Sequence, residues 1–126
     1  MIFAHTIDKV LCRQKHQTRR VVKPHEYLVA DGDLIKVEAV AKTRLRTVYE
    51  VGKQYAVQPG RGKKGVAYIE LTGLREETVA DISESDAQAE GFESKADFFA
   101  TWRNIHGSNA DLQQKIWVLE FRLRYS

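Results

Sequence analysis

The stretch "IWVLEFRLRY", residues 116–125, alternates apolar side chains with mostly charged ones. Trp117, Leu119, Phe121, Leu123 and Tyr125 fall on one side of an extended chain, and Glu120, Arg122 and Arg124 on the other. Such a segment reads as a strand with one dry face. A strand leaves its backbone groups unpaired until a neighbour satisfies them, so the rest of the chain must supply a sheet. A last strand that returns to earlier ones suits a small curved or closed sheet.

Other strand-like runs occur upstream. "LIKVEAV" and "TRLRTVY", separated by "AK", fit a hairpin, and "KQYAVQ" is a third candidate. "GRGKKG" reads as a turn leading into "VAYIELTGL", a fourth. The segment "VVKPHEYLVADGD", with Pro24 and Gly32, reads as a loop. In "HTIDKVLCRQK", Thr6 is a plausible N-cap, and Ile7, Val10 and Leu11 follow at helical spacing, which predicts a short helix ending near Gln14. Two further helices are expected. "SESDAQAE" has Ser83 as cap, Asp86 three residues on and Gly91 as stop. The next starts at Ser94 and stops at Gly107, with Phe98, Trp102 and Ile105 as an apolar stripe that reads as core. About five strands and three helices predict an α+β fold. No internal repeat or linker divides the 126 residues, which are expected to form one domain, 1–126.

Charge is distributed unevenly. Residues 1–64 carry fourteen Lys/Arg against six Asp/Glu, a net +8, whereas residues 65–126 carry six against eleven, a net −5. A basic half favours anionic partners such as RNA or nucleotides, although folding interleaves the halves. No apolar run approaches membrane-spanning length, and His5 and Asp8 interrupt "MIFAHTIDKV" too early for a secretory leader. Cys12 is the only cysteine, so no intramolecular disulfide can form. A reducing compartment, the cytoplasm, is the expected location, with Cys12 as a small buried residue of the first helix.

Much chemistry is missing. The histidines His5, His16, His25 and His106 and the single cysteine do not form a zinc-ligand spacing, and no acidic cluster suggests magnesium. "GRGKKG" lacks the spacing and strand-to-helix context of a phosphate loop and reads as a turn with solvated lysines. No serine elbow and no His–Asp pair stand out.

What remains is Lys15 and Thr18, three positions apart. If a helical turn continues through them, their side chains share a face. An amine beside a hydroxyl is useful only when neutral, and burial or the adjacent Arg19 and Arg20 would lower its pKa. A neutral Lys15 then takes the Thr18 proton as that oxygen attacks a carbonyl. The plainer reading is a solvated basic turn in which Thr18 satisfies a backbone group. Glu90 is the second oddity, since a carboxylate at a helix C-terminus is disfavoured by about 0.3–1 kcal/mol.

Three segments, "QKHQTRRVVKP", "EVGKQYAVQPGRGKKGVAYIELTGLREE" and "ISESDAQAEGFESKADFFATW" with "IWVLEF" beyond it, together resemble an ASCH-domain protein of the PUA-like superfamily. Residues 27–48 match least. The resemblance implies a small PUA-like β-barrel of about five or six strands flanked by about three helices. Some ASCH proteins are N4-acetylcytidine amidohydrolases that use a Lys, a Thr three residues later and a Glu beyond the barrel strands. Lys15, Thr18 and Glu90 match that set, and Arg20 falls where such enzymes carry an arginine. Where the family commonly has Gly-Arg/Lys-Lys-Thr, this chain has Arg13-Gln14-Lys15-His16.

The resemblance implies a Thr18 nucleophile with Lys15 as base, acting on N4-acylated cytidine or cytosine without metal or cofactor. Glu90 would hold Lys15 or position water. Arg20 would hold the cytosine carbonyl or an oxyanion, and Gln58 and Arg61 would line the mouth. A second reading from a different class is an RNA-binding PUA-like module using Lys and Arg residues between 13 and 64. A ribonuclease using the same Lys and Thr is a third.

Overall fold

The computed structural model describes residues 1–125, and the side chain of Tyr125 lies outside what is described. The elements run α1 (Ile7–Leu11), β1 (Gln17–Val21), β2 (Glu26–Asp31), β3 (Leu34–Ala41), β4 (Arg44–Glu50), β5 (Gln54–Val57) and β6 (Ala67–Thr78). A 3₁₀ turn (Val79–Asp81), α2 (Glu84–Ala89), α3 (Lys95–His106) and β7 (Lys115–Tyr125) follow. All strand pairs are antiparallel. One sheet has the order β1-β7-β6-β5 and the other β2-β3-β4. The fold is therefore α+β as expected. Its strands number seven among the described residues, and their pairing forms two sheets where a single barrel of five or six strands was expected.

Packing explains both layers. Trp117, Leu119, Phe121 and Leu123 of β7 turn inward with Ile69 and Leu71 of β6, and meet Val37 of β3 and Phe3 between the sheets. The same strand is dry on its second face over its first half. Ile116 and Val118 are fully buried against Val79, Ile82, Phe98 and Trp102. The expectation of one dry side thus holds only beyond Val118, where Arg122 and Arg124 reach solvent. α2 and α3 cover the outer face of the four-stranded sheet, which buries it on both sides there, while Val10 of α1 joins the core between the sheets.

Two strands depart from the expectations. The segment read as a loop contains β2, because Pro24 and Gly32 bracket a strand instead of interrupting one. Gly32, at φ 59°, supplies the left-handed residue of the β2–β3 hairpin. The hairpin between β3 and β4 forms as expected, with Lys42 and Thr43 as its loop. The chain from Gln17 to Val21 is also a strand, since β7 offers it a complete edge to pair with.

α1 is shorter than expected and stops at Leu11, because Arg13 takes φ 68° and turns the chain away. Thr6 holds the N-cap position without a side-chain capping bond. Cys12 is exposed just beyond the helix, correcting its assignment as a buried residue.

α2 and α3 begin and end where expected. Ser83 Oγ accepts from the Asp86 N–H at 3.0 Å, and Ser94 Oγ from the Asp97 N–H at 3.2 Å. At the end of α2, Gly91 N–H donates to the Gln88 carbonyl and Phe92 N–H to that of Ala87, a Schellman closure. Gly91 adopts φ 96°, and a Cβ there would lie 2.8 Å from Lys9 Cδ. Gly91→Ala is expected to destabilise the fold by about 1–3 kcal/mol. The measurement is urea unfolding of both chains at unchanged slope.

Candidate active site

Strand register decides which side chains meet. Thr18 lies opposite Leu119 and Arg20 opposite Trp117, so both point into the space between the sheets. Gln17, Arg19 and Val21 lie opposite Glu120, Val118 and Ile116 and face the helices. Lys15 precedes the strand. Its N–H donates to the Lys9 carbonyl at 2.9 Å, and the next N–H, of His16, donates to the Ala89 carbonyl at 2.8 Å. The backbone at Lys15 is thereby fixed between α1 and the end of α2. Lys15 and Thr18 do not share a helical turn, correcting that expectation, yet both side chains line one cleft of about 310 Å³.

Lys15, Thr18 and Glu90 are 5%, 1% and 4% exposed, which rules out a solvated basic turn. Lys15 Nζ donates to Glu90 Oε1 at 2.7 Å. Arg20 donates to Thr18 Oγ1 at 2.9 Å and, through its other terminal nitrogen, to the Ile2 carbonyl at 2.9 Å. The Thr18 oxygen is thus an acceptor toward Arg20, and its own proton is free to be given away.

Glu90 owes its place to the Schellman turn, which sets it at the C-cap, and to two nitrogen donors, Lys15 and Arg19, that hold its oxygens against the unfavourable helix field. Its second oxygen accepts from Arg19 at 3.1 Å. Arg19 also reaches Glu77 and Asp86, each at 3.3 Å, and Gln17 at 3.1 Å. Asp86 and Glu120 are joined in turn by Arg75, at 2.8 and 3.0 Å. Gly73 makes room for Glu120, whose carboxylate lies 2.8 Å from where a Cβ would stand. These residues form one ion-pair network on the helix side of the sheet, with Glu90 as its link to the cleft.

Burial lowers the Lys15 pKa from its ordinary value; Glu90 opposes this, while Arg20 and Arg19 add to the lowering. A protonated Lys15 has three N–H donors and one hydrogen-bond acceptor, a deficit that disfavours the ammonium form in a dry site. Burial likewise lowers Arg20, which stays cationic as guanidinium does in proteins.

The cleft wall is aromatic. Phe3 lies under both cations, its ring centroid 5.9 Å from Lys15 Nζ and 5.3 Å from the Arg20 guanidinium. Phe92, Phe98 and Trp102 form the opposite side, with successive ring centroids 5.7 and 5.9 Å apart. The Phe98–Trp102–Ile105 stripe, expected as core only, has a double role: Phe98 and Trp102 are buried, Ile105 is exposed, and all three line the cleft.

Of the expected site residues, Lys15, Thr18, Arg20 and Glu90 come together. Gln58 and Arg61 do not line the cleft. Gln58 accepts from the Met1 nitrogen at 3.1 Å and donates to the Lys63 carbonyl at 3.0 Å, while its backbone pairs with the segment carrying Ile2 and Phe3. It supports the wall from behind. Arg61 is exposed in a turn. Arg19 was foreseen as a neighbouring charge and not as the partner of Glu90. Its position one residue from Thr18 in an alternating strand was the available signal. Among the described residues no three or more His, Cys, Asp or Glu are grouped to hold a metal ion, and no helix is long and apolar enough to cross a membrane.

Neither a protein-family model nor a curated protein sequence matches the chain. Two solved structures share its architecture. An ASCH domain from Lactobacillus crispatus JV V101 superposes with TM-score 0.67 at 17% identity, over 95% of this chain and 70% of that one. Protein EF3133 from Enterococcus faecalis V583, of family DUF984, gives 0.64 at 16% identity, over 94% and 66%. The chain has the fold of an ASCH domain, a PUA-like fold, as the sequence resemblance implied.

The network makes a claim about charge that titration can read. By ¹⁵N-detected NMR, Lys15 Nζ is expected to lose its proton below the ordinary lysine range, and Glu90→Gln is expected to lower that midpoint further, because the carboxylate is what favours the ammonium. A midpoint that rises in the variant would contradict the assignment.

Proposed function

We propose that this chain is a metal-independent amidohydrolase that removes the acyl group from N4-acylated cytosine, as base, nucleoside or nucleotide. The observation that carries the reading is a buried amine, its pKa lowered by burial, lining the same cleft as a buried hydroxyl that a guanidinium already holds. The fold supports it as that of a domain class whose members the sequence resembles at Lys15, Thr18 and Glu90.

The chemistry balances with these groups alone. Neutral Lys15 accepts the Thr18 proton as Oγ1 bonds to the acyl carbon, and the carbonyl electrons move onto oxygen. Arg20, held beside the Thr18 oxygen at 2.9 Å, is the cation that stabilises the negative charge developing on the former carbonyl oxygen. Collapse breaks the bond to N4, and Lys15 returns the proton to the departing amine. The pyrimidine ring delocalises that nitrogen's electrons, making it a better leaving group than an alkylamine. Water then adds to the acyl-threonine with Lys15 again as base, releasing the carboxylic acid and restoring the hydroxyl. The 2.7 Å contact supports an orienting role for Glu90 on Lys15 over one on water.

A flat pyrimidine suits the aromatic walls, and about 310 Å³ is at the small end of ligand cavities. Burial of Lys15 and Arg19 argues against their use as phosphate contacts of an RNA-binding surface. Loss of ultraviolet absorbance by N4-acetylcytidine is the assay. Thr18→Ala is expected to slow turnover by about 10³-fold or more with an unchanged circular-dichroism melt. Unchanged turnover removes Thr18 as nucleophile. The wild-type rate is expected to rise with pH as Lys15 deprotonates, then level off below the ordinary lysine range.

A further inference from the structure

The chain leaving β1 separates two clefts. Val21 lines the first, and Lys23, two residues on, lines a second of about 320 Å³. Two residues of chain span at most about 7 Å. The clefts also share neighbours. Trp117, opposite Arg20 in the β1–β7 pairing, donates from Nε1 to Glu26 Oε1 in the second cleft at 2.9 Å. Burial raises the Tyr49 hydroxyl from its ordinary pKa, and Arg20 of the first cleft and Glu26 and Arg46 of the second all act on it.

Four basic side chains line the second cleft, Lys23, His25, Lys42 and Arg46, with Glu26 as its one carboxylate. Glu26 is already engaged, accepting from the Lys23 N–H as well as from Trp117, both at 2.9 Å. Elsewhere Lys36, Arg75 and Arg122 are paired with carboxylates. Among the described residues the four side chains of this cleft make no ion pair and no hydrogen bond to the protein. All four residues are exposed. His25 and Lys42 further occupy left-handed backbone, at φ 71° and 57°, a conformation loops usually give to Gly, Asn or Asp. Four basic side chains against one carboxylate, two of them on left-handed backbone, are what an anion-gripping loop pair requires.

We propose that the second cleft binds a phosphate of the substrate, so that the cytosine enters the first cleft as part of a nucleotide or of a nucleic-acid chain. The inference rests on the proposed function only for the placing of the base. Lys23 and Lys42 supply point charges, and Arg46 a planar fork for two phosphate oxygens.

The test is ¹H–¹⁵N NMR titration of the whole chain with cytidine, cytidine 5′-monophosphate, a cytidine tetranucleotide and inorganic phosphate. At low salt the monophosphate is expected to bind at least about tenfold more tightly than cytidine, an advantage that added salt erodes. Its shifts, and those of inorganic phosphate, are expected at residues 23–26 and 39–46. Lys42→Ala with Arg46→Ala should abolish the advantage without moving the unfolding midpoint. Equal affinities for cytidine and its monophosphate, or phosphate shifts that avoid both segments, overturn the proposal. Those wild-type readouts do not depend on the variant. A tetranucleotide that binds more tightly than the monophosphate assigns the phosphate to a nucleic-acid chain, and equal affinity assigns it to a mononucleotide. Because no turnover is measured, failure to hydrolyse N4-acetylcytidine and its 5′-monophosphate sinks the amidohydrolase reading and leaves this result to be judged separately.

Discussion

The carboxylate of Glu90 is held out of water between an amine and a guanidinium, and much of the site depends on that contact. Burying three ionisable groups is costly, and their mutual attraction offsets the cost only when geometry and hydrogen bonding are good. Here the carboxylate is bound on both oxygens, while the amine has a single acceptor and sits where burial works against its charge. The cluster is therefore asymmetric. Arg19 is tied into the wider network of Asp86, Glu77 and Gln17, and it anchors Glu90 whatever the state of Lys15. Lys15 is the member whose charge burial opposes most directly.

The anchoring reaches back to how α2 ends. A helix C-terminus is a poor place for a carboxylate, and a single glycine makes this one specific by closing the helix immediately beyond it. Local rules are broken at Glu90, at the polar strand β1 and at the left-handed Arg13, and these three lie together around Lys15. Conflict between local preference and final fold gathers around the candidate site, although β2 and the left-handed His25 and Lys42 depart from local preference outside it.

That concentration explains what was legible in the sequence. α2 and α3 were readable from serine caps and glycine stops, the β3–β4 hairpin and β7 from alternation, because these features act over a few residues. β1 was not, since both its faces carry polar side chains: Thr18 and Arg20 look toward one buried pocket, Gln17 and Arg19 toward a buried ion network. A strand whose two sides are both polar and both buried has no periodic signature. β2 was hidden by the proline and glycine that bound it. Lys15, Thr18 and Glu90 stand out in the sequence and take their roles, with Arg20, from the resemblance, whereas Arg19 as the anchor of Glu90 requires the register of β1 against β7. Periodicity reads the stripe on α3 as interior alone, because it reports burial and cannot distinguish a core from the wall of a cleft.

The pairing of β1 with β7 joins residues about a hundred positions apart, Gln17 with Glu120 and Val21 with Ile116. β7 is the only strand that β1 touches in its sheet, and it follows every other described element in the chain. Until it arrives, the segment bearing Thr18 has no edge to lie along, and its buried polar groups face water. Every residue that lines the cleft precedes β7 in the chain, yet they enclose no cleft until β7 has paired with β1. Long-range closure of this kind is slow compared with forming the hairpins in between. Assembly of the site is thus a late event, coupled to completion of the sheet.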